Sequence, residues 1–136
     1  MNSSLQHSTG IFSRAIGHVI MTTFVMMHKS SRSYIHPKGG QANPNNDTKL
    51  VVHSDLHNNM FFQFDIVESV WGYIRHVTSG KIVHPKGGEL FPGNGTKLVL
   101  HSDRHSGALF ALDHANNYIV HKGGEIRSPE RRTTRS

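Results

Sequence analysis

Apolar residues in this chain fall in short runs rich in Val, Ile, Phe and Tyr, separated by Gly, Pro, Asn and Ser, and no run keeps a helical period. Residues 24–28 read as a strand, 29–32 as a turn and 33–36 as the returning strand, which Pro37 stops because it carries no backbone donor. An Asn-rich loop over 41–47 follows, then strands over 49–53 and 60–64. The same order returns: a strand over 71–76, a turn at 78–80, a strand over 81–84, a loop with Gly and Pro over 89–95, and strands over 96–101 and 108–112. Short strands with this punctuation predict an all-β fold, a barrel or a sandwich.

The second series copies the first. His36-Pro37-Lys38-Gly39-Gly40 returns as His84-Pro85-Lys86-Gly87-Gly88, and His53-Ser54-Asp55-Leu56-His57 as His101-Ser102-Asp103-Arg104-His105, both displaced by 48 residues. His28 and His76 keep the same step. A repeat at a fixed step implies an architecture of repeated units. A third unit begins, because residues 117–121 follow the pattern of residues 72–76, with 122–124 as a turn. Where another His-Pro-Lys-Gly-Gly is due, the chain reads Ser128-Pro129-Glu130-Arg131-Arg132. The expected organisation is an unstructured extension over 1–21, lobes over about 22–69 and 70–116, a partial third lobe over 117–124, and a basic unstructured tail over 125–136.

Charge and composition then narrow the partners. A net charge of +6 and a pI near 10.0 over 136 residues admit nucleic acid, acidic glycans or a membrane surface. Basic residues are dense only at Arg131, Arg132 and Arg135, without interleaved aromatics, so no nucleic-acid partner is expected. No apolar run approaches the ~20 residues of a membrane span, so no membrane insertion is expected. The absence of cysteine removes disulfide and thiolate chemistry. Arg14 and His18 interrupt the apolar stretch before Met21, which argues against a secretory signal and leaves the localisation open between the cytoplasm and release by a non-classical route. Trp71, Tyr73, Tyr118 and the phenylalanines are assigned to the core.

The repeated polar residues carry the candidate chemistry. Each copy joins a strand-ending His to a Gly-Gly bend with accessible backbone N–H groups, and adds an Asp-X-His some nineteen residues on. A carboxylate supplies acceptors, and each neutral imidazole supplies one donor and one acceptor. Sugar hydroxyls need both, and a buried polar group left unpaired is costly, so such a set selects stereochemistry. The four site histidines are expected to act partly as acceptors, with binding weakening as pH falls past their unperturbed range. The competing reading places His53, Asp55 and His57 on one strand face as a metal set, and so a metal-dependent hydrolase. Neither set adds a Cys or Glu, so no metal is expected, and each copy offers only one obvious acid, so no catalytic residue is expected, nor any cofactor.

His-Pro-Lys-Gly-Gly, Thr-Lys-Leu-Val-X-His-Ser-Asp-X-His and Trp-Gly-Tyr-Ile-X-His together resemble the mussel galactose-binding lectins of the mytilectin family, over about residues 21–124. The resemblance implies a β-trefoil, here with two complete lobes and an incomplete third. It implies a non-enzymatic lectin for terminal galactose or N-acetylgalactosamine on glycolipids or glycoproteins, with roles in agglutination and defence. By the same resemblance, His36, Gly39, Asp55 and His57 form one carbohydrate site, and His84, Gly87, Asp103 and His105 the other. A polar loop residue falls on Asp47, and its counterpart one lobe later is Gly95, which implies a weaker second site. A trefoil short of its third lobe implies a homodimer or a larger assembly.

Overall fold

β-branched and aromatic runs, cut by proline and glycine, fold here into strands and little else. The computed structural model describes residues 12–16 and 19–127. Strands β1 (Phe12–Ile16) and β2 (Val19–Thr23) form a two-stranded antiparallel hairpin. The others are β3 (Tyr34–Pro37), β4 (Thr48–His53), β5 (Phe62–Glu68), β6 (Trp71–His76), β7 (Ile82–Pro85), β8 (Leu98–His101), β9 (Phe110–Asp113) and β10 (Tyr118–His121). These eight form one open antiparallel sheet in the order β10-β9-β6-β7-β8-β4-β3, with β5 paired to β6. The fold is all-β, with a short helix α1 (Lys122–Arg127) at its end.

The core lies where period-two alternation turns one face inward. In β6, Gly72, Ile74 and His76 are buried while Trp71, Tyr73 and Arg75 are half-buried. Phe24, Met26, Phe62, Ile74, Val83, Leu100 and Phe110 form the central cluster. Fully burying side chains of this size contributes about 1.5–3 kcal/mol each. The assignment of every aromatic to the core is corrected on this point. Trp71 and Tyr73 sit on the outer face of β6, and Tyr118 is 63% exposed on the edge strand β10.

Other expectations also shift. Residues 24–28 do not form a continuous strand; Phe24 bridges Phe62 and Met27 bridges Tyr34, each singly. The strand expected from residue 60 starts two residues later. Asn58–Met60 forms a 3-10 turn instead, because the His57 side chain accepts from the Asn59 N–H and caps it. A matching turn, Ser106–Ala108, is capped by His105 and precedes β9. The boundary drawn near residue 22 falls inside β2, whose β-branched residues suit a strand. The tail drawn from residue 125 begins inside α1, and the 122–124 turn is that helix's first turn. The expected unstructured ends over 1–11 and 128–136 lie outside the described residues.

The repeat reappears as repeated hairpins. β3 pairs β4 with His36 opposite Val51, and β7 pairs β8 with His84 opposite Val99. Between the lobes, β4 pairs β8 through Thr48–Leu100 and Lys49–Val99. That seam joins the end of the first lobe's long loop to the second lobe's polar residues.

Candidate functional site

Each Pro-Lys-Gly-Gly segment is a tight turn closed by its own backbone. The Gly40 N–H donates to the Pro37 carbonyl and the Gly88 N–H to the Pro85 carbonyl, both at 2.8 Å. Gly39 and Gly87 hold φ at 85° and 89°, the left-handed value required at the third position of a type II turn. The Lys38 and Lys86 N–H groups bond to Lys49 and Lys97. Among the described residues this leaves the N–H groups of Gly39 and Gly87 as the donors of the bends. The second glycine of each pair serves a different need. A Cβ on Gly40 would stand 3.0 Å from His57 Nε2, and one on Gly88 3.0 Å from His105 Nε2. The imidazole therefore lies directly against the bend.

The second copy closes into a cleft of about 200 Å³ lined by Asp47, His84, Gly87, His101, Asp103 and His105. Pro85, Gly88 and Val99 complete it. The volume is below the ~300–1,000 Å³ of drug-sized sites, which suits a single ring. His84 Nε2 lies 2.7 Å from the Asp103 carbonyl. A carbonyl only accepts, so Nε2 carries the proton and Nδ1 is left as an acceptor. His105 carries its proton on the same nitrogen but turns the other one to the backbone. Its Nδ1 accepts from the Gly107 N–H at 3.1 Å, so Nε2–H is free to donate. His101 Nδ1 likewise accepts from the Asp103 N–H at 3.1 Å, and stands 3.7 Å from Asp103 Oδ2. The His84 ring centre is 5.1 Å from that of His101 and 4.9 Å from that of His105. Burial holds the His84 imidazole below its ordinary pKa, against the raising effect of the Asp103 carbonyl bond.

The first copy repeats the parts with one change. His36 is buried, its ring 5.2 Å from those of His53 and His57. Here Nδ1, not Nε2, bonds to a carbonyl, that of Pro37 at 2.9 Å. Nε2 is then a buried acceptor with no partner among the described residues. Burial lowers this imidazole's pKa too. His57 Nδ1 accepts from Asn59 N–H at 3.2 Å, and His53 Nδ1 from Asp55 N–H at 3.1 Å, as in the second copy. The four candidate site histidines were expected to act partly as acceptors, and their backbone partners divide them into two pairs. His36 and His84 turn an acceptor nitrogen away from their carbonyl partners, whereas His57 and His105 offer N–H.

Asp47 stands somewhere the repeat did not suggest. It ends the first lobe's loop yet lines the second lobe's cleft. Its N–H donates to Leu100 O at 2.8 Å. The preceding Asn46 clamps Ser102, accepting from its N–H at 3.0 Å and donating to its Oγ at 3.3 Å. The expectation that Gly95 leaves the second site without this polar contact does not fit the placement of Asp47, because the first lobe's loop lines the second lobe's cleft. Asp47 holds φ at 71° where Gly95 holds 83°, so a non-glycine residue occupies the left-handed region there. His101 was not among the expected site residues, although its i, i+2 spacing from Asp103 was a usable signal.

The metal reading of His53, Asp55 and His57 finds no support. Among the described residues no group of three or more His, Cys, Asp or Glu is placed to hold a metal ion. β4 ends at His53, so strand alternation does not carry on to Asp55 and His57. The Nδ1 atoms of both histidines are occupied by backbone N–H groups.

Comparison with known proteins agrees with the repeat. Residues 24–136 match the model of the MytiLec family, alpha-D-galactose-binding lectins. A galactose-binding lectin of Mytilus californianus is 61% identical over 54 residues, 40% of this chain and 36% of that protein. An alpha-D-galactose-binding lectin of Mytilus galloprovincialis is 61% identical over 54 residues, 40% of this chain and 29% of its own length. A galactose-binding lectin of Crenomytilus grayanus is 59% identical over the same length, 36% of that protein. The matched stretch thus spans about a third of these relatives. The chain belongs to the MytiLec family of alpha-D-galactose-binding lectins.

Proposed function

We propose that this protein is a lectin that binds terminal galactose or N-acetylgalactosamine on glycolipids or glycoproteins. Two sites do so: His36, Gly39, Asp55 and His57, and His84, Gly87, Asp103, His105 and Asp47. The observation that carries the reading is the mixed polarity of the second cleft. It brings together carboxylate acceptors from Asp47 and Asp103, a lone pair on His84, and N–H donors from His105 and Gly87. A ring bearing several hydroxyls, each donor and acceptor at once, satisfies such a set. An apolar ligand would leave it unpaired at a cost of about 1–3 kcal/mol per group. We also read the sheet as the first two lobes of a β-trefoil with the opening strand of a third. That reading is supported by the step of 48 residues and the repeated hairpins.

Calorimetry of the full chain with methyl α-galactoside, methyl α-glucoside and methyl α-mannoside, with and without a chelator, tests the proposal. Saturable binding of the galactoside alone, unchanged by the chelator, is expected. Equal binding of all three sugars, or no binding of the galactoside, overturns it.

A further inference from the structure

The imidazoles His57 and His105 are set by turns that the next lobe holds in place. Asn59 in the first turn donates its N–H to His57 Nδ1 at 3.2 Å and its side-chain amide to Gly40 O at 3.0 Å. Its own carbonyl accepts from His76 Nε2 at 2.6 Å. His76 is fully buried, belongs to the following lobe, and pairs its Nδ1 with Ser79 Oγ at 2.7 Å. One lobe on, Gly107 donates its N–H to His105 Nδ1 at 3.1 Å, and a Cβ on it would stand 2.5 Å from Gly88 O. The Gly107 carbonyl accepts from His121 Nε2 at 2.7 Å, while His121 Nδ1 accepts from Gly123 N–H at 3.2 Å. Even the ring contacts repeat, with Phe62 against His76 at 5.5 Å and Phe110 against His121 at 5.0 Å.

We infer that His76 and His121 are positioning residues, each orienting the ligand-facing imidazole of the lobe before its own. Neither lines the cleft described above. Each fixes the carbonyl end of a peptide-bonded turn whose N–H end fixes a site imidazole in the Nε2–H tautomer. A buried hydrogen bond of this kind restrains orientation, and its loss leaves an unpaired carbonyl behind the turn. The arrangement assigns a task to the opening strand of the third lobe: β10 delivers His121 to the second site. Both carbohydrate sites are therefore completed from the following lobe, and the second also receives Asp47 from the preceding one. The ligand part of this inference rests on the proposed lectin function; the tautomer part does not.

The test uses the full chain with His76→Ala and His121→Ala, alongside His76→Gln and His121→Gln, whose amides can still donate. Long-range imidazole NMR reads the tautomers of His57 and His105 without ligand, and methyl α-galactoside titration reads each site. His76→Ala is expected to release the His57 tautomer and weaken the first site about fivefold, leaving the second within about twofold. His121→Ala is expected to do the reverse, and the Gln variants to restore both readouts in part. Equal weakening of both sites by either Ala variant, or an unchanged tautomer in the relevant ring, overturns the inference. If the parent binds no galactoside, the lectin reading fails, while the tautomer readout still decides the positioning role.

Discussion

The two copies of the site differ less in their residues than in what covers them. His36 and His84, Gly39 and Gly87, Asp55 and Asp103, and His57 and His105 are pairwise identical. Yet the His53 side chain is 50% exposed and that of His101 25%, while the two aspartates match at 73% and 71%. The second copy carries the Asn46–Asp47 loop of the preceding lobe over it, held by Ser102 and Leu100. It also ties His84 to the Asp103 carbonyl, whereas among the described residues the His36 imidazole bonds to its neighbour Pro37 alone. A repeated motif is therefore not a self-contained site. The shell of its candidate site is shared across the seam between the repeats, so identical motifs acquire different preorganisation.

The comparison breaks most readily at the carboxylates. Asp103→Ala is expected to cost the second site about 1.5–3 kcal/mol of galactoside affinity, because hydrogen bonds to a charged group are lost. Asp55→Ala is expected to do the same at the first site, and site-resolved NMR titration separates the two. Weakening of the opposite site in either variant would dissolve the two-site picture. Next in size is Gly88→Ala. It puts a side chain at φ 66° and 3.0 Å from the His105 ring, and about 1–2 kcal/mol of stability is expected to be lost. Gly40→Ala, at φ 63° and equally close to His57, supplies the matched control in the first lobe. Denaturant melts of both check it; an unchanged midpoint would remove the close-approach argument.

Much of this was legible in the chain. The short runs and their punctuation gave the strands, and β6 falls on Trp71–His76 as expected. The step of 48 residues marks the two sets of candidate site residues without any knowledge of the fold. What was not legible is contact between lobes. Nothing local ties Asp47 to His84, since their proximity comes from the β4–β8 pairing, and such long-range register leaves no mark in either segment. The 3-10 turns were missed for a related reason. Met60 looks like the first residue of a strand, but the His57 side chain captures the Asn59 N–H and starts a turn there. The histidine tautomers are likewise set by backbone partners that only the fold supplies.

A smaller effect sharpens the comparison at the loop. Asp47→Gly removes the carboxylate and places at residue 47 the glycine that lobe two has at Gly95, in a backbone conformation glycine adopts freely. Second-site affinity is expected to fall by about 1 kcal/mol, with stability unchanged or slightly raised. The first site is expected not to respond. If the first site weakens instead, Asp47 does not face the following lobe in solution and the assignment of loops to sites is wrong.

The smallest expected effect is one of pH, and its sign follows from burial. Desolvation lowers the pKa of His36, His76 and His84 from the ordinary 6.5. In the folded chain each therefore stays neutral at a pH where the unfolded chain already binds a proton. The stability they contribute is complete above about pH 6.5 and is lost as pH falls from there through their folded values. Binding follows the same direction at His84, because protonation of Nδ1 removes the acceptor while the Nε2–H bond to the Asp103 carbonyl survives. Melting temperature and galactoside affinity, followed from pH 8 to pH 5, are expected to be flat at first and to decline only below about 6.5. His76→Gln, which removes one titrating group that does not line the second cleft, is expected to shallow the stability curve and leave the pH profile of second-site affinity in place. A melting temperature that rises on acidification would mean that these imidazoles are charged in the folded protein, and the tautomer assignments would fall with it.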